Sequence, residues 1–154
     1  MLTSALTKTT LAVLISMTAV SFYPGGGEFK CYEDFRALTD TGSPQYALQR
    51  EAWTDMYGLR RVDGFYCIAL GSAYGTEIGE KYIITLSTGY EFLAVLADQK
   101  ADVDTVDGHT RDRNGAVIEF IVDTNYLPAD VRQMGDVSCV PGFAGEVTEI
   151  RRVK

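Results

Sequence analysis

Lys81-Tyr82-Ile83-Ile84-Thr85-Leu86, then Ser87-Thr88-Gly89, then Glu91-Phe92-Leu93-Ala94-Val95-Leu96-Ala97: two runs of β-forming residues stand either side of a short polar turn with a glycine. Branched and aromatic residues suit a pleated, half-buried surface. A glycine between two such runs is a hairpin signal. Upstream, Phe65-Tyr66-Cys67-Ile68-Ala69-Leu70 is a similar run that closes at Gly71-Ser72. Downstream, an aspartate-rich polar loop from Asp98 to Gly115 leads into Ala116-Val117-Ile118-Glu119-Phe120-Ile121-Val122. Val137 to Val140 reads as a further short strand, and Gly145 to Val153 as the last.

Pro128 to Met134 reads as a short helix with proline near its start, where the missing N–H costs nothing. Short strands with glycine-rich turns, and no helix–strand alternation, predict a mainly β fold over residues 60–154, a small barrel or sandwich with one or two short helices. A barrel would also remove the exposed edges that so many apolar strands present. Its core is expected from Ile68, Ile83, Leu93, Val95, Ile118, Phe120 and Ile150. Residues 24–59 read as a polar connector or strap, in which Tyr32 to Arg36 and Tyr46 to Arg50 each start a short helix and Thr39 to Pro44 is loop.

At the N-terminus, Lys8 precedes the apolar run Leu11 to Val20. The run is short for a bilayer span and matches the apolar region of a signal peptide. Ala19 and Ser21 are small residues at cleavage-site spacing, and Pro24-Gly25-Gly26-Gly27 ends any helix. Residues 1–23 are therefore expected to be a signal peptide or membrane anchor, with cleavage after about Ser21; a short core helix is the bland alternative. The expected location is secreted or bound to the cell envelope, with membrane contact only through that anchor.

The 154-residue chain carries a formal charge of −7. Nucleic-acid affinity rests on cationic contacts to phosphate, so a nucleic-acid partner is not expected. Three scattered cysteines (Cys31, Cys67, Cys139) and a single histidine (His109) offer none of the usual zinc spacings, and no metal or cofactor is expected. The pairing of the cysteines is open. Asp102 to Gly108 has carboxylates at calcium-loop spacing, but position twelve from Asp102 is Arg113, and a solvated acidic turn is the simpler reading. No phosphate loop, Rossmann fingerprint or nucleophile elbow is present.

Asp98 is the first residue singled out for chemistry. It follows an apolar strand and opens a polar loop, and a carboxylate that loses hydration there suits general acid work near neutral pH. Glu119 and Asp123 lie four residues apart and share one strand face, which is unusual for an apolar strand unless it looks into a polar cleft or solvent.

Three short elements carry a family resemblance: Glu77-Ile78-Gly79-Glu80-Lys81, Ala97-Asp98-Gln99-Lys100-Ala101 and Val117-Ile118-Glu119-Phe120-Ile121. In this order and spacing, Tyr66 to Asp123 resembles the double-psi β-barrel domains of bacterial cell-wall proteins. The nearest are the 3D domain, named for three aspartates, and the catalytic barrel of membrane-bound lytic transglycosylase A. There the elements read I-P-L-G-T, A-x-D-T-G and R-I-D-V-F. The family's first aspartate would fall near Leu70-Gly71, where this chain has none; the second is Asp98, and Glu119 replaces the third.

The stretches Gly64 to Ser72, Leu96 to Asp102 and Val117 to Thr124 also look like those of uncharacterised exported proteins of gram-positive gut bacteria. The resemblance implies a six-stranded double-psi-like barrel and a peptidoglycan or other envelope-glycan partner. It implies a lytic reaction with Asp98 as acid and base. Glu119 and Asp123 would orient substrate or tune Asp98, while Tyr74, Tyr90 and Lys100 would hold it, with Tyr66 as a further stacking ring. The alternative is a non-catalytic module that binds glycan or protein in the envelope or in a secretion or conjugation apparatus.

Overall fold

The computed structural model describes Met17–Thr18 and residues 27–154. Nine strands form one sheet: β1 (Met17–Thr18), β2 (Cys31–Asp34), β3 (Trp53–Thr54), β4 (Arg60–Val62), β5 (Phe65–Leu70), β6 (Lys81–Leu86), β7 (Glu91–Gln99), β10 (Glu119–Val122) and β11 (Val147–Val153). The remaining strands, β8 (Thr105–Val106) and β9 (Arg111–Asp112), make a small hairpin of their own. Among the described residues there are two α-helices, α1 (Pro44–Glu51) and α2 (Ala129–Met134). The fold is mainly β with two short helices, as the sequence implies.

The main path runs β1-β11-β6-β7-β5-β10-β2, with β4 and β3 appended beside β5. This departs from the expected six-stranded closure: the described residues form an open ladder path and no closed barrel. One side chain instead ties the start of β2 to the segment that leads into β11. Lys30, just before β2, is almost fully buried, and its Nζ donates to the carbonyls of Glu28 (2.8 Å) and Gly145 (2.6 Å) and to Ser138 Oγ (3.2 Å). The backbone N–H of Val137 donates to the Lys30 carbonyl. Backbone groups that lack a ladder partner are satisfied here by side chains and loops.

The β6–β7 hairpin forms as predicted, with Gly89 at φ 88°, a conformation that L-residues avoid. β5 pairs parallel with β7, and β10 parallel with β2, while β5 and β10 run antiparallel between them. The larger core cluster lies on one face and includes Ile68, Tyr82, Ile84, Phe92, Leu96, Ile118, Phe120 and Ile150. Phe92, Phe120, Phe143 and Tyr66 meet there largely edge to face. The opposite face carries a smaller cluster of Cys67, Ala69, Val95, Ala97 and Ile121, packed against Leu48 of α1.

Five of the seven expected core residues are buried. Ile83 is half-buried and Leu93 is 41% exposed, because their neighbours Tyr82, Ile84, Phe92 and Ala94 hold the inward parity. Tyr32 to Arg36 does not start a helix. Cys31–Asp34 is a strand of the main sheet, and Asp34 then accepts from the Arg36 N–H to cap a single 3₁₀ turn, Phe35–Ala37. The helix expected near Tyr46 is α1, capped by Ser43 with Pro44 at its start. Val137–Cys139 is a 3₁₀ turn rather than a strand. All three cysteines are free. Met17–Thr18 pairs with Val153 and Arg152, and the rest of the apolar run of the expected signal lies outside the described residues. No helix among the described residues is long and apolar enough to cross a membrane.

Candidate functional site

The ladders put four residues in one row across the sheet: Cys31 opposes Glu119, Glu119 opposes Ala69, and Ala69 opposes Asp98. Residues opposed in a ladder project to the same face, so this row points toward the α1 side. Asp98 reaches that face only through an irregularity. Ile68 opposes Leu96, but the next residue, Ala69, opposes Asp98, leaving Ala97 as an extra residue. Without that β-bulge, Asp98 would follow Phe92, Ala94 and Leu96 into the large apolar core. A bulge shifts parity by one and re-aims a side chain, a device common beside functional sites. Ala69 between Glu119 and Asp98 leaves space where a larger residue would fill it.

The space is a polar cavity of about 190 Å³ lined by Glu33, Ala69, Asp98, Gln99, Lys100, Ala101, Asp104, Asp112 and Glu119. Asp98 is half-buried and accepts a hydrogen bond from Gln45 Nε2 (3.4 Å) on the first turn of α1. The sequence places Asp98 after its strand; in the structure it is part of β7. Lys100 is almost fully buried, pairs with Asp112 and lies 3.7 Å from Glu119. Its ammonium is therefore an internal counter-ion for two carboxylates, rather than a group free to meet a substrate. Cys31, Asp112 and Glu119 bring thiol and carboxylate atoms within 4.8 Å of one another, but the Lys100 ammonium is already among them.

Burial pushes the Glu33 carboxyl up to about 7, and the charges of Glu119 and Asp98, with a hydrogen bond to Asp98, add to the effect. Burial also raises Glu119, with Lys100 opposing and Asp112 and Asp98 reinforcing. Crowded carboxylates cannot all ionise cheaply, which favours the neutral form of Glu33. The Cys31 thiol is pushed up to about 12, chiefly by burial, and stays neutral; a neutral thiol is a poor nucleophile.

The structure thus brings Asp98, Glu119 and Lys100 together and separates them from the other expected residues. Asp123 lies past the end of β10, where it accepts from Arg36 (3.0 Å) and caps the Asn125 N–H. Tyr74 is 3% exposed in the large core, and its carbonyl accepts from the Tyr82 hydroxyl. Tyr90 precedes β7 at the end opposite Asp98, about 25 Å away at strand rise, and stacks on Phe92. Tyr66 is a core ring with the Arg61 guanidinium 4.2 Å from its centroid.

Sequence reasoning missed Glu33, Asp112 and Gln45. Only the parallel β2–β10 pairing carries Glu33 to the cavity, and no local pattern announces a parallel partner. The acidic loop from Asp102 is tied to its own surroundings. Asp102 accepts from Ser72 (2.6 Å), and Asp107 pairs with Arg111. In comparison with known proteins, no family model, curated protein or solved structure matches this chain.

Proposed function

We propose that this chain is an exported, envelope-associated protein with a double-psi-like strand arrangement that cleaves glycan strands of peptidoglycan by a lytic, non-hydrolytic route. The topology supports the fold reading. Two parallel strand pairs, β5–β7 and β10–β2, flank an antiparallel contact, and six main strands follow one path from β11 to β2. The observation that carries the chemistry is the Glu33–Asp98 pair, set in a polar cavity beside a buried ammonium.

In this reading the pair holds one proton near neutral pH. It gives that proton to the glycosidic oxygen as the C1–O bond breaks. The ionised pair then takes the proton of the sugar's own C6 hydroxyl as that oxygen bonds to C1. The product is a 1,6-anhydro sugar, the pair regains its proton, and no water is consumed. A single acid/base centre suffices, unlike the two separated carboxylates of ordinary glycosidases. A group that titrates near the working pH is the effective kind of general acid.

The test is release of anhydro-muropeptides from purified peptidoglycan. Asp98→Asn keeps the shape of the side chain and removes its titration. It should lower release about 10²–10⁴-fold while leaving the fold intact. Release at the wild-type rate by Asp98→Asn overturns the assignment. The non-catalytic reading has its own support: the small cavity is already crowded by Lys100 and its two partners. It predicts wall binding with no release by the wild type.

A further inference from the structure

Lys100 follows β7, and Asp112 closes β9, the second strand of the small hairpin. The Lys100 side chain is 2% exposed and that of Asp112 16%. Lys100 Nζ contacts Asp112 Oδ2 directly and lies 3.7 Å from Glu119 Oε2. Carboxylate oxygens of Asp112 and Glu119 lie within 4.8 Å of each other. The Cys31 thiol donates to the same Asp112 oxygen at 3.6 Å. A nitrogen nucleophile, the carboxyl it touches and a second carboxyl are thus held together with little access to solvent.

Burying two opposite charges is costly, and one proton shift removes both. When the ammonium passes a proton to Asp112, an amine faces a carboxylic acid across the same contact. Burial holds Glu119 above the ordinary carboxylate range, with the charge of Lys100 opposing, which favours a protonated Glu119 beside the pair. In open water an amine and an acid do not condense, because water is in excess. Groups held in contact react with an effective concentration of up to about 10⁵–10⁸ M, which reverses that balance.

We infer that Lys100 Nζ condenses with Asp112 Cγ to an amide, an intramolecular cross-link made after folding with Glu119 as proton relay. The amine lone pair forms the N–C bond, and the carbonyl π electrons move to oxygen, which takes the Glu119 proton. Nitrogen returns one proton to Glu119. Glu119 gives that proton to the departing hydroxyl as the C–O bond breaks, and one water leaves. The remaining hydroxyl returns its proton to Glu119 as the carbonyl re-forms. One amide and one water replace one amine and one acid, and no oxidant or other reactant enters.

The ion pair is the state before this reaction. The charge of −7 is unchanged by it, since an opposite pair is lost. The inference stands apart from the cleavage reading, because Glu33 and Asp98 take no part. Its effect is a ring from Lys100 to Asp112 that fixes the acidic hairpin to the end of β7, in a chain whose three cysteines are free. Such a link restricts the unfolded chain as a disulfide does.

The test is mass spectrometry of the full chain, purified folded and then unfolded under reducing conditions. A glutamate-specific protease releases Phe92–Glu119, which holds both reacting residues. This fragment should be one water lighter than its sequence, trypsin should fail to cut after Lys100, and fragmentation should place the link between Lys100 and Asp112. Lys100→Arg keeps the charge but has no amine to condense, and should give the full mass. Glu119→Gln keeps the shape without the relay and should slow formation about 10²-fold or more; its fragment, Phe92–Glu146, should carry the full mass in fresh protein. Full mass and tryptic cutting after Lys100 in the wild type overturn the inference, whether or not the variants fold. So does a water loss that persists in Lys100→Arg, as ring closure at Asp107–Gly108 would give. Condensation of Glu119→Gln at the wild-type rate overturns the relay.

Discussion

Lys100 Nζ stands 3.7 Å from Glu119 Oε2 while bonding Asp112, so one buried cation serves two carboxylates from different strands. The isosteric apolar change Lys100→Met should therefore do more than remove a contact. It leaves Asp112 and Glu119 facing each other uncompensated, and breaking such a pair from one side costs about 3–5 kcal/mol. Chemical denaturation at pH 7 measures this. Because protonation relieves the repulsion, the deficit should shrink as pH falls; a loss that is the same at pH 5 and pH 8 would argue against the internal counter-ion.

Glu33 gives a second pH signature. Its folded value, about 7, lies above the ordinary 4.5. Between those values the folded chain binds more protons than the unfolded one, so stability falls as pH rises through that window and levels off above it. The half-exposed position limits the size of the effect. Glu33→Gln should flatten this slope, and urea midpoints from pH 4 to 8 check it. In the wall-cleavage assay, the wild type should lose activity as pH rises past about 7, where the shared proton is gone.

Strand parity makes a paired prediction on β7. Phe92 is 4% exposed and Leu93 41%. Phe92→Ala should cost about 3–5 kcal/mol, whereas Leu93→Thr should stay within about 0.5 kcal/mol. Thermal or urea unfolding of the two variants decides whether the inward face has been assigned correctly.

At the end of β5, Gly71 lies so close to the β8–β9 loop that a Cβ there would sit 1.9 Å from the His109 carbonyl oxygen. Backbone cannot yield as a flexible side chain does. Gly71→Ala should destabilise by about 1–3 kcal/mol and displace the loop, seen as changed amide shifts for Ser72 and residues 105–110. An unchanged loop would remove this contact from the account.

Much of the sheet was legible from the chain because β5, β6 and the β6–β7 turn are written in local residue types. Parity within Lys81–Leu86 and Glu91–Ala97 was less so. Those runs are apolar on both faces, so Ile83 and Leu93 look as buriable as Ile84 and Phe92. Asp98 and Glu119 could be nominated because each interrupts or closes an apolar run, whereas Lys100 entered only with the family resemblance. Glu33 could not, since its role depends on a parallel partner far along the chain. Nor could the bulge at Ala97, which turns Asp98 away from the apolar core, because an alanine carries no mark of being unpaired.

The clasp made by Lys30 has a kinetic consequence. Its ammonium meets Gly145 across 115 positions of sequence, and its backbone N–H meets Asp136 across 106. Closing so long a loop costs entropy before any contact repays it, and folds dominated by such pairings assemble slowly. The clasp cannot form until residues 136–145 have been made. A nascent chain therefore stays open at this seam until then, a state in which it can still be threaded, bound by a holdase or cut.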